Sequence, residues 1–252
     1  MAPRTAAAVD EGVDVEAVLR PLPYTLLRDA FGKVLHWSSK GQIRKRHDRC
    51  VLEAVHGTPI LVLPSVFNPK LLRTGEFFAS QINAAVLAAE MDVLDMGTGS
   101  GVCAVFAAMH ARRVVAVDIN PAAVRCAGIN ALLNHLEHKI DLRHGDLFAP
   151  VAGERFDLVL FNPPFVQGTP RDDRDHAWRS TDVAARFASG LRAHLKPGGS
   201  ALVLLSTFGD APNFLAEFRD HALDISVLAE RRFFNERLAI LRLRLSNTDQ
   251  AT

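Results

Sequence analysis

The chain carries the run Val93-Leu94-Asp95-Met96-Gly97-Thr98-Gly99-Ser100-Gly101, and this run decides its fold class. Apolar residues and an acid predict the end of a buried strand, and three glycines at alternate positions predict a tight turn. The apolar stretch 102–110 follows at once and predicts a helix. Because glycine lacks a Cβ atom, the backbone N–H groups of such a turn come close to a polar ligand. We therefore expect a nucleotide-like ligand at the carboxyl end of the sheet.

From residue 92 onward, short β-rich runs alternate with helix-length stretches. This alternation is typical of βαβ units and predicts an α/β fold with a doubly wound, mostly parallel sheet. Asn120 and Pro121 predict a helix start, and Lys196-Pro197-Gly198-Gly199 predicts a helix stop. The connection between the last two strands is too short for a crossover helix, so we expect these strands to be antiparallel. The predicted strands are 92–96, 113–118, 139–143, 156–161, 200–206, 224–228 and 238–245.

Upstream of this alternation, two apolar runs predict a hairpin. The runs are residues 51–55 and 60–63, and the spacer His56-Gly57-Thr58-Pro59 between them is typical of a turn. We divide the chain into a small N-terminal helical and hairpin segment, residues 1–60, and a main domain, residues 61–252.

The composition predicts a globular protein with one core. The chain has 252 residues, 48% of them hydrophobic, and a net charge of +1, which gives no global attraction to nucleic acid or anionic membranes. Three well-separated cysteines predict neither a disulfide framework nor a metal site. Residues 1–16 lack the apolar stretch of a secretory signal, and no run is long enough to span a membrane. We expect a cytoplasmic location, with no membrane and no metal partner.

Two further acids follow the next two predicted strands. Asp118, beside Ile119, lies about twenty residues beyond the glycine turn, where a carboxylate accepts hydrogen bonds from both ribose hydroxyls. Asp146, beside Leu147, would meet an adenine amino group. A dinucleotide is the alternative ligand, but it calls for a different glycine spacing, and Asp95 would oppose its pyrophosphate. Asp95 would instead pair with the amino group of a methionine moiety, which favours S-adenosyl-L-methionine, with S-adenosyl-L-homocysteine as product.

The run Asn162-Pro163-Pro164-Phe165 follows the fourth predicted strand. The two prolines fix the backbone and remove N–H donors, which leaves the Asn162 side-chain oxygen and the Pro163 carbonyl as acceptors. Two such acceptors match the two hydrogens of a planar amide or exocyclic amine, and Phe165 supplies a stacking face. We expect this nitrogen to attack the sulfonium methyl group, with no metal required.

These motifs resemble the class I methyltransferases that carry an asparagine-proline-proline-aromatic motif, especially the HemK-like glutamine methyltransferases. The resemblance covers roughly residues 50–245 and includes DMGTGSG, VDINP, GDLF, FDLVLFNPPF and LKPGG. It implies a seven-stranded sheet with a reversed last strand. A linker bearing Thr74 resembles the segment of that group in which a threonine approaches the donor; a helix N-cap is the other interpretation of Thr74.

We predict three sets of site residues. The catalytic set is Asn162, Pro163 and Phe165, and the substrate set is Asn162, Pro164, Phe165 and Trp178. The donor-binding set is Thr74, Asp95, Gly97, Thr98, Gly99, Gly101, Asp118, Ile119, Asp146, Leu147 and Asn162.

The methyl acceptor stays open between a protein glutamine, an RNA base and a small molecule or natural product. Residues 1–49 are short for the substrate-recognition domain of the release-factor enzymes, and 175–181 is a candidate substrate-side lid. The basic run 44–47, with Trp37 nearby, would suit RNA phosphates or a solvated charged face. From another class, the chain would be a non-catalytic RNA- or protein-binding module on the same fold.

Overall fold

The computed structural model describes residues 13–20, 49–70, 73–164, 166–167, 179–180, 182–233 and 236–246. The helices of these residues are α1 Val15–Leu19, α2 Thr74–Gln81, α3 Val102–Ala108, α4 Pro121–Leu133, α5 Val183–His194 and α6 Ala211–Asp220, with a 3₁₀ turn at Ala149–Val151. The strands are β1 Val51–Val55, β2 Thr58–Val62, β3 Asp92–Met96, β4 Arg113–Asp118, β5 Ile140–His144, β6 Phe156–Phe161, β7 Val166–Gln167, β8 Arg179–Ser180, β9 Leu195–Ser206, β10 Leu223–Arg232 and β11 Arg237–Leu245.

A seven-stranded sheet with the order β10-β11-β9-β6-β3-β4-β5 forms the centre of the fold. The pairs among β9, β6, β3, β4 and β5 are parallel, whereas β11 runs antiparallel to both of its neighbours. The doubly wound, mostly parallel sheet with a reversed last strand is therefore confirmed. Because the strand order reverses between β3 and β6, the carboxyl ends of these strands form a cleft for a ligand.

Helices cover both faces of the sheet, which explains the apolar runs of the central strands. Successive strand residues enter different cores: Val93 packs on the side of α2, α3 and α4, and Leu94 packs on the side of α5 and α6. Helix α1 joins the second core through Val18 and Leu19. The strand carrying Asp95 is thus held on both faces.

The β1–β2 hairpin packs on the main domain. Its two-residue turn, His56-Gly57, has φ of 46° and 85°, as a two-residue hairpin turn requires. Buried Asn130 of α4 accepts from the Leu61 amide at 2.7 Å and donates to the Leu61 carbonyl at 2.6 Å. The predicted division near residue 60 falls inside β2, and this division stays a prediction.

Several predicted boundaries need correction. The hairpin turn is shorter than the four-residue spacer, because residues 58–59 already pair within β2. Strand β5 begins one residue later than expected, and β9 and β10 are longer. The helix stop is correct, since α5 ends at His194, but residues 195–199 enter β9 with an irregular register. The start of α4 is confirmed: the Asn120 side chain accepts from the Ala122 amide at 2.9 Å.

We predict that Gly101→Ala is much more destabilising than Gly153→Ala. Both glycines have positive φ, 79° and 82°. An added Cβ atom at Gly101 would lie 2.7 Å from Ala127 Cα, whereas one at Gly153 would have no atom of the described residues within 4 Å. The first substitution should cost about 2–4 kcal/mol in the free energy of unfolding and the second about 1 kcal/mol. Urea unfolding measures both, and equal losses would show that the α3–α4 contact does not require glycine.

Candidate active site

The glycine turn after β3 presents open space to one side. Gly97 and Gly99 have φ of 66° and 56°, in the left-handed region that favours glycine. Among the described residues, a Cβ atom built on either glycine would meet no atom closer than 3.9 Å. The turn therefore offers its backbone to a ligand.

Asp118, at the end of β4, ties this turn to the next strand. Its carboxylate accepts from the Gly99 amide at 2.8 Å and from the Asn120 amide at 2.9 Å. The Thr98 amide also donates to the Val117 carbonyl at 3.0 Å. These hydrogen bonds therefore hold the glycine turn after β3 against the end of β4.

Asp95 is a buried acid at the end of β3. Its side chain accepts from the Thr98 hydroxyl at 2.6 Å. Burial raises its pKa to about 7; hydrogen bonds from Thr98 and Ala104 oppose this rise, and the nearby charge of Asp118 adds to it. Burial also raises the pKa of Asp118. Two acids held close together, Asp95 buried and Asp118 partly buried, favour a cationic ligand.

Asp146, in the loop after β5, forms an ion pair across the cleft. Its Oδ2 atom accepts from Arg186 Nη2 of α5 at 2.5 Å. Both side chains are nearly half exposed, and a second acid, Asp182, lies 3.8 Å from Arg186 Nη1. The loop after β5 and the first turn of α5 are therefore joined at the cleft.

Asn162 follows β6 on a backbone anchored by aromatic packing. The Phe161 ring stacks on Phe187 of α5, with ring centroids 4.5 Å apart. Pro163 is buried, and the buried Asn162 Oδ1 atom has no hydrogen-bond partner among the described residues. An amide oxygen that is buried without a partner is costly, so it fits a position where a ligand donates.

These groups line one cavity of about 310 Å³, which is within the range of small-ligand sites. Of the predicted residues, those on the cavity wall are Asp95, Gly97, Thr98, Gly99, Asp118, Ile119, Asp146, Leu147, Asn162, Pro163 and Pro164. Wall residues outside the three predicted sets include Ser65, Phe67 and Pro69, in the segment between β2 and α2, together with Arg186.

Two predicted donor contacts lie elsewhere. Gly101 does not line the cavity; this position requires glycine because Ala127 of α4 lies so close to it. Thr74 also lies off the wall, next to Gly75, which is on it; its buried hydroxyl has no hydrogen-bond partner among the described residues. The N-cap interpretation of Thr74 is wrong, because Arg73 is the N-cap of α2.

Other predictions fall outside the described residues. These are Phe165, Trp178 and Trp37, the basic run 44–47 and most of the candidate lid 175–181. Of the lid, the structure gives only the pairing of β8 with β7.

The glycine turn, Asp95, Asp118 and an amide oxygen without a hydrogen-bond partner among the described residues lie around one cleft of a seven-stranded sheet. They define an α/β domain of the methyltransferase type, and the cavity suits a donor that carries positive charge. The family model described as the methyltransferase small domain matches residues 58–233. The chain belongs to this family, which implies S-adenosyl-L-methionine as methyl donor.

Named relatives support the same class. A release factor glutamine methyltransferase of Koribacter versatilis is 32% identical over 184 residues, covering 61% of this chain and 65% of the relative. A putative protein N5-glutamine methyltransferase of Methanocaldococcus jannaschii is 28% identical over 197 residues, covering 74% of this chain and 95% of the relative.

A solved structure has the same fold. It is a 16S rRNA N2 methyltransferase of T. thermophilus in complex with AdoMet and guanosine, 23% identical with a TM-score of 0.53. The match covers 79% of this chain and 50% of that one.

The described residues hold no candidate for a membrane-spanning helix or a metal site. None of the helices there is long and apolar enough to cross a membrane. In the same part of the chain, no three His, Cys, Asp or Glu side chains group as metal ligands would.

We predict that Asp95→Asn changes the pH dependence of stability. The pKa of Asp95 in the folded protein is about 7, above its ordinary value of 3.8, so the folded state holds a proton that the unfolded state has lost. Asp95 therefore lowers the free energy of unfolding as pH rises from about 4 to 7, by at most about 1.4 kcal/mol per pH unit.

The stability of Asp95→Asn relative to wild type should rise across this window and level off above it. Urea unfolding at several pH values measures the difference, with Asp220→Asn at an exposed position as control. A difference that does not change with pH would contradict the raised pKa.

Proposed function

We propose that the chain transfers the methyl group of S-adenosyl-L-methionine to a planar nitrogen, most naturally the side-chain amide of a protein glutamine. The observation that carries the proposal is the buried Asn162 Oδ1 atom, which has no hydrogen-bond partner in the described part of the chain and belongs to a residue on the wall of the same cavity as the glycine turn. A donor hydrogen from an amide NH₂ group would satisfy this oxygen.

The donor end of the cavity suits a nucleoside with a cationic tail. Asp118 would accept hydrogen bonds from the ribose hydroxyls, since its carboxylate lies at the carboxyl end of β4, hydrogen-bonded to the glycine turn. Asp95 would accept from the ammonium group of the methionine moiety, which relieves the cost of burying this acid. Gly97 and Gly99, which have no side chain, leave room for the part of the donor that joins its ribose to its ammonium group.

When bound, the donor supplies an electrophilic methyl group on a sulfonium centre. Asn162 and the Pro163 carbonyl would hold the two amide hydrogens, which turns the nitrogen lone pair out of conjugation and toward the methyl carbon. The nitrogen–carbon bond forms as the sulfur–carbon bond breaks, and the sulfur keeps the electron pair. The acceptor nitrogen then releases one proton to water.

The choice of a protein glutamine rests on the relatives. One of the two relatives is named a release factor glutamine methyltransferase and the other a putative protein N5-glutamine methyltransferase, and the second is matched over nearly its whole length. An amide NH₂ group is also the simplest partner for two acceptors held apart.

An exocyclic amine of an RNA base is the second candidate. It is favoured by the solved rRNA methyltransferase, whose structure contains guanosine. Such an amine presents the same pair of hydrogens to Asn162 and Pro163. Donor radiolabelled on the methyl group, incubated with fractionated protein, RNA and metabolite extracts, identifies the acceptor class.

We predict that Asn162→Ala abolishes most methyl transfer while leaving donor binding nearly intact. Loss of the orienting acceptor should lower kcat about 10²–10³-fold, because it acts on the transition state. The dissociation constant for S-adenosyl-L-homocysteine should change by less than about threefold. Single-turnover assays and calorimetry measure the two effects.

Asn213→Ala, on α6 away from the cavity, serves as the control and should resemble wild type. Full methyl transfer by Asn162→Ala to the acceptor found in the extract screen would refute the assigned role.

We also predict that affinity for S-adenosyl-L-homocysteine rises with pH. The ligand ammonium group needs ionised Asp95, whose pKa in the free protein is about 7. Binding at pH 6 should be roughly tenfold weaker than the plateau reached above neutrality. Calorimetric titrations across this range should show weaker, nearly pH-independent binding for Asp95→Asn; a flat wild-type profile would exclude Asp95 as the ammonium partner.

A further inference from the structure

Arg186 stands on the cavity wall with no role in the proposed reaction. It lies in the first turn of α5, and Asp146, forty positions earlier, lies in the loop after β5. Arg186 Nη2 donates to Asp146 Oδ2 at 2.5 Å. Both side chains line the donor cavity.

The fold gains little from this ion pair. The two side chains are 46% and 43% exposed, and pairs so open to water contribute about 0–1 kcal/mol. What the pair does fix is the orientation of the Asp146 carboxylate. Arg186 holds one oxygen of Asp146, and the described residues place no hydrogen bond on the other, Oδ1.

Resting on the proposed function, we propose that Arg186 is a positioning residue that makes the cavity selective for a 6-aminopurine donor. Arg186 anchors Asp146 Oδ2, so Oδ1 is held ready to accept a hydrogen from the 6-amino group of adenine. Arg186 itself need not touch the donor.

This arrangement separates purines by their 6-substituent. A 6-amino group donates to Asp146 Oδ1, whereas a 6-oxo group would set one acceptor against another. A purine with only hydrogen at that position loses one hydrogen bond and meets no repulsion. Affinity should therefore fall from amino to hydrogen to oxo.

The test is calorimetric titration of the full chain with S-adenosyl-L-homocysteine and with its analogue that has hydrogen in place of the 6-amino group. Arg186→Ala should weaken binding of the first ligand about five- to tenfold and of the analogue less than about twofold. Arg186→Lys, which keeps one donor, should restore part of the difference.

Arg219→Ala is the matched control. It removes a pair of similar exposure, Arg219 with Glu16 at 2.8 Å, away from the cavity, and should alter neither titration. Asp146→Asn should also lose the preference for the amino ligand, and adding Arg186→Ala to it should cost little more, because the two residues act as a unit.

Equal weakening of both ligands by Arg186→Ala, or no weakening of either, would overturn the inference while leaving the donor site standing. Failure of the wild-type chain to bind either ligand would overturn the proposed function, and this inference with it.

Discussion

The site depends on the position of one carboxylate. Asp118 accepts from the Gly99 and Asn120 amides, so it holds the turn after β3 and the start of α4 in fixed relation. Those loops follow the carboxyl ends of adjacent parallel strands, and Asp118 lines the cavity there. With these hydrogen bonds in place, the open side of Gly97 and Gly99 faces the cavity. These hydrogen bonds fix the conformation of a turn whose glycines would otherwise allow several.

Negative charge on the two acids of the cavity lowers the stability of the protein without ligand. Asp95 is buried and Asp118, close to it, is partly buried, and the pKa of each is raised, mainly by burial. Such an arrangement is unfavourable until a cation arrives, so the protein gives up stability for donor affinity. The other end of the cavity is uncharged: there Asn162 has a neutral oxygen that no described residue hydrogen-bonds. The cavity thus matches a charged donor at one end and an uncharged nitrogen at the other.

Sequence reasoning predicted the sheet and the strand-end residues well, because strand ends and glycine turns follow from local pattern. Asp95, Asp118 and Asn162 all lie on the cavity wall as expected. Sequence reasoning failed where a contact between distant parts of the chain determines the role of a residue. Gly101 is a glycine because Ala127 of α4 is close, and Arg186 reaches Asp146 from forty positions away. Neither contact has a signal within a short window of sequence.

The central claim is that one cavity holds the donor with its methyl group toward Asn162. The most direct test is a crystal structure of the chain with S-adenosyl-L-homocysteine. We predict the ribose on Asp118, the amino group on Asp95 and the sulfur facing the Asn162 amide. Density for the ligand at another site, or in this cavity with the sulfur turned away from Asn162, would contradict the account.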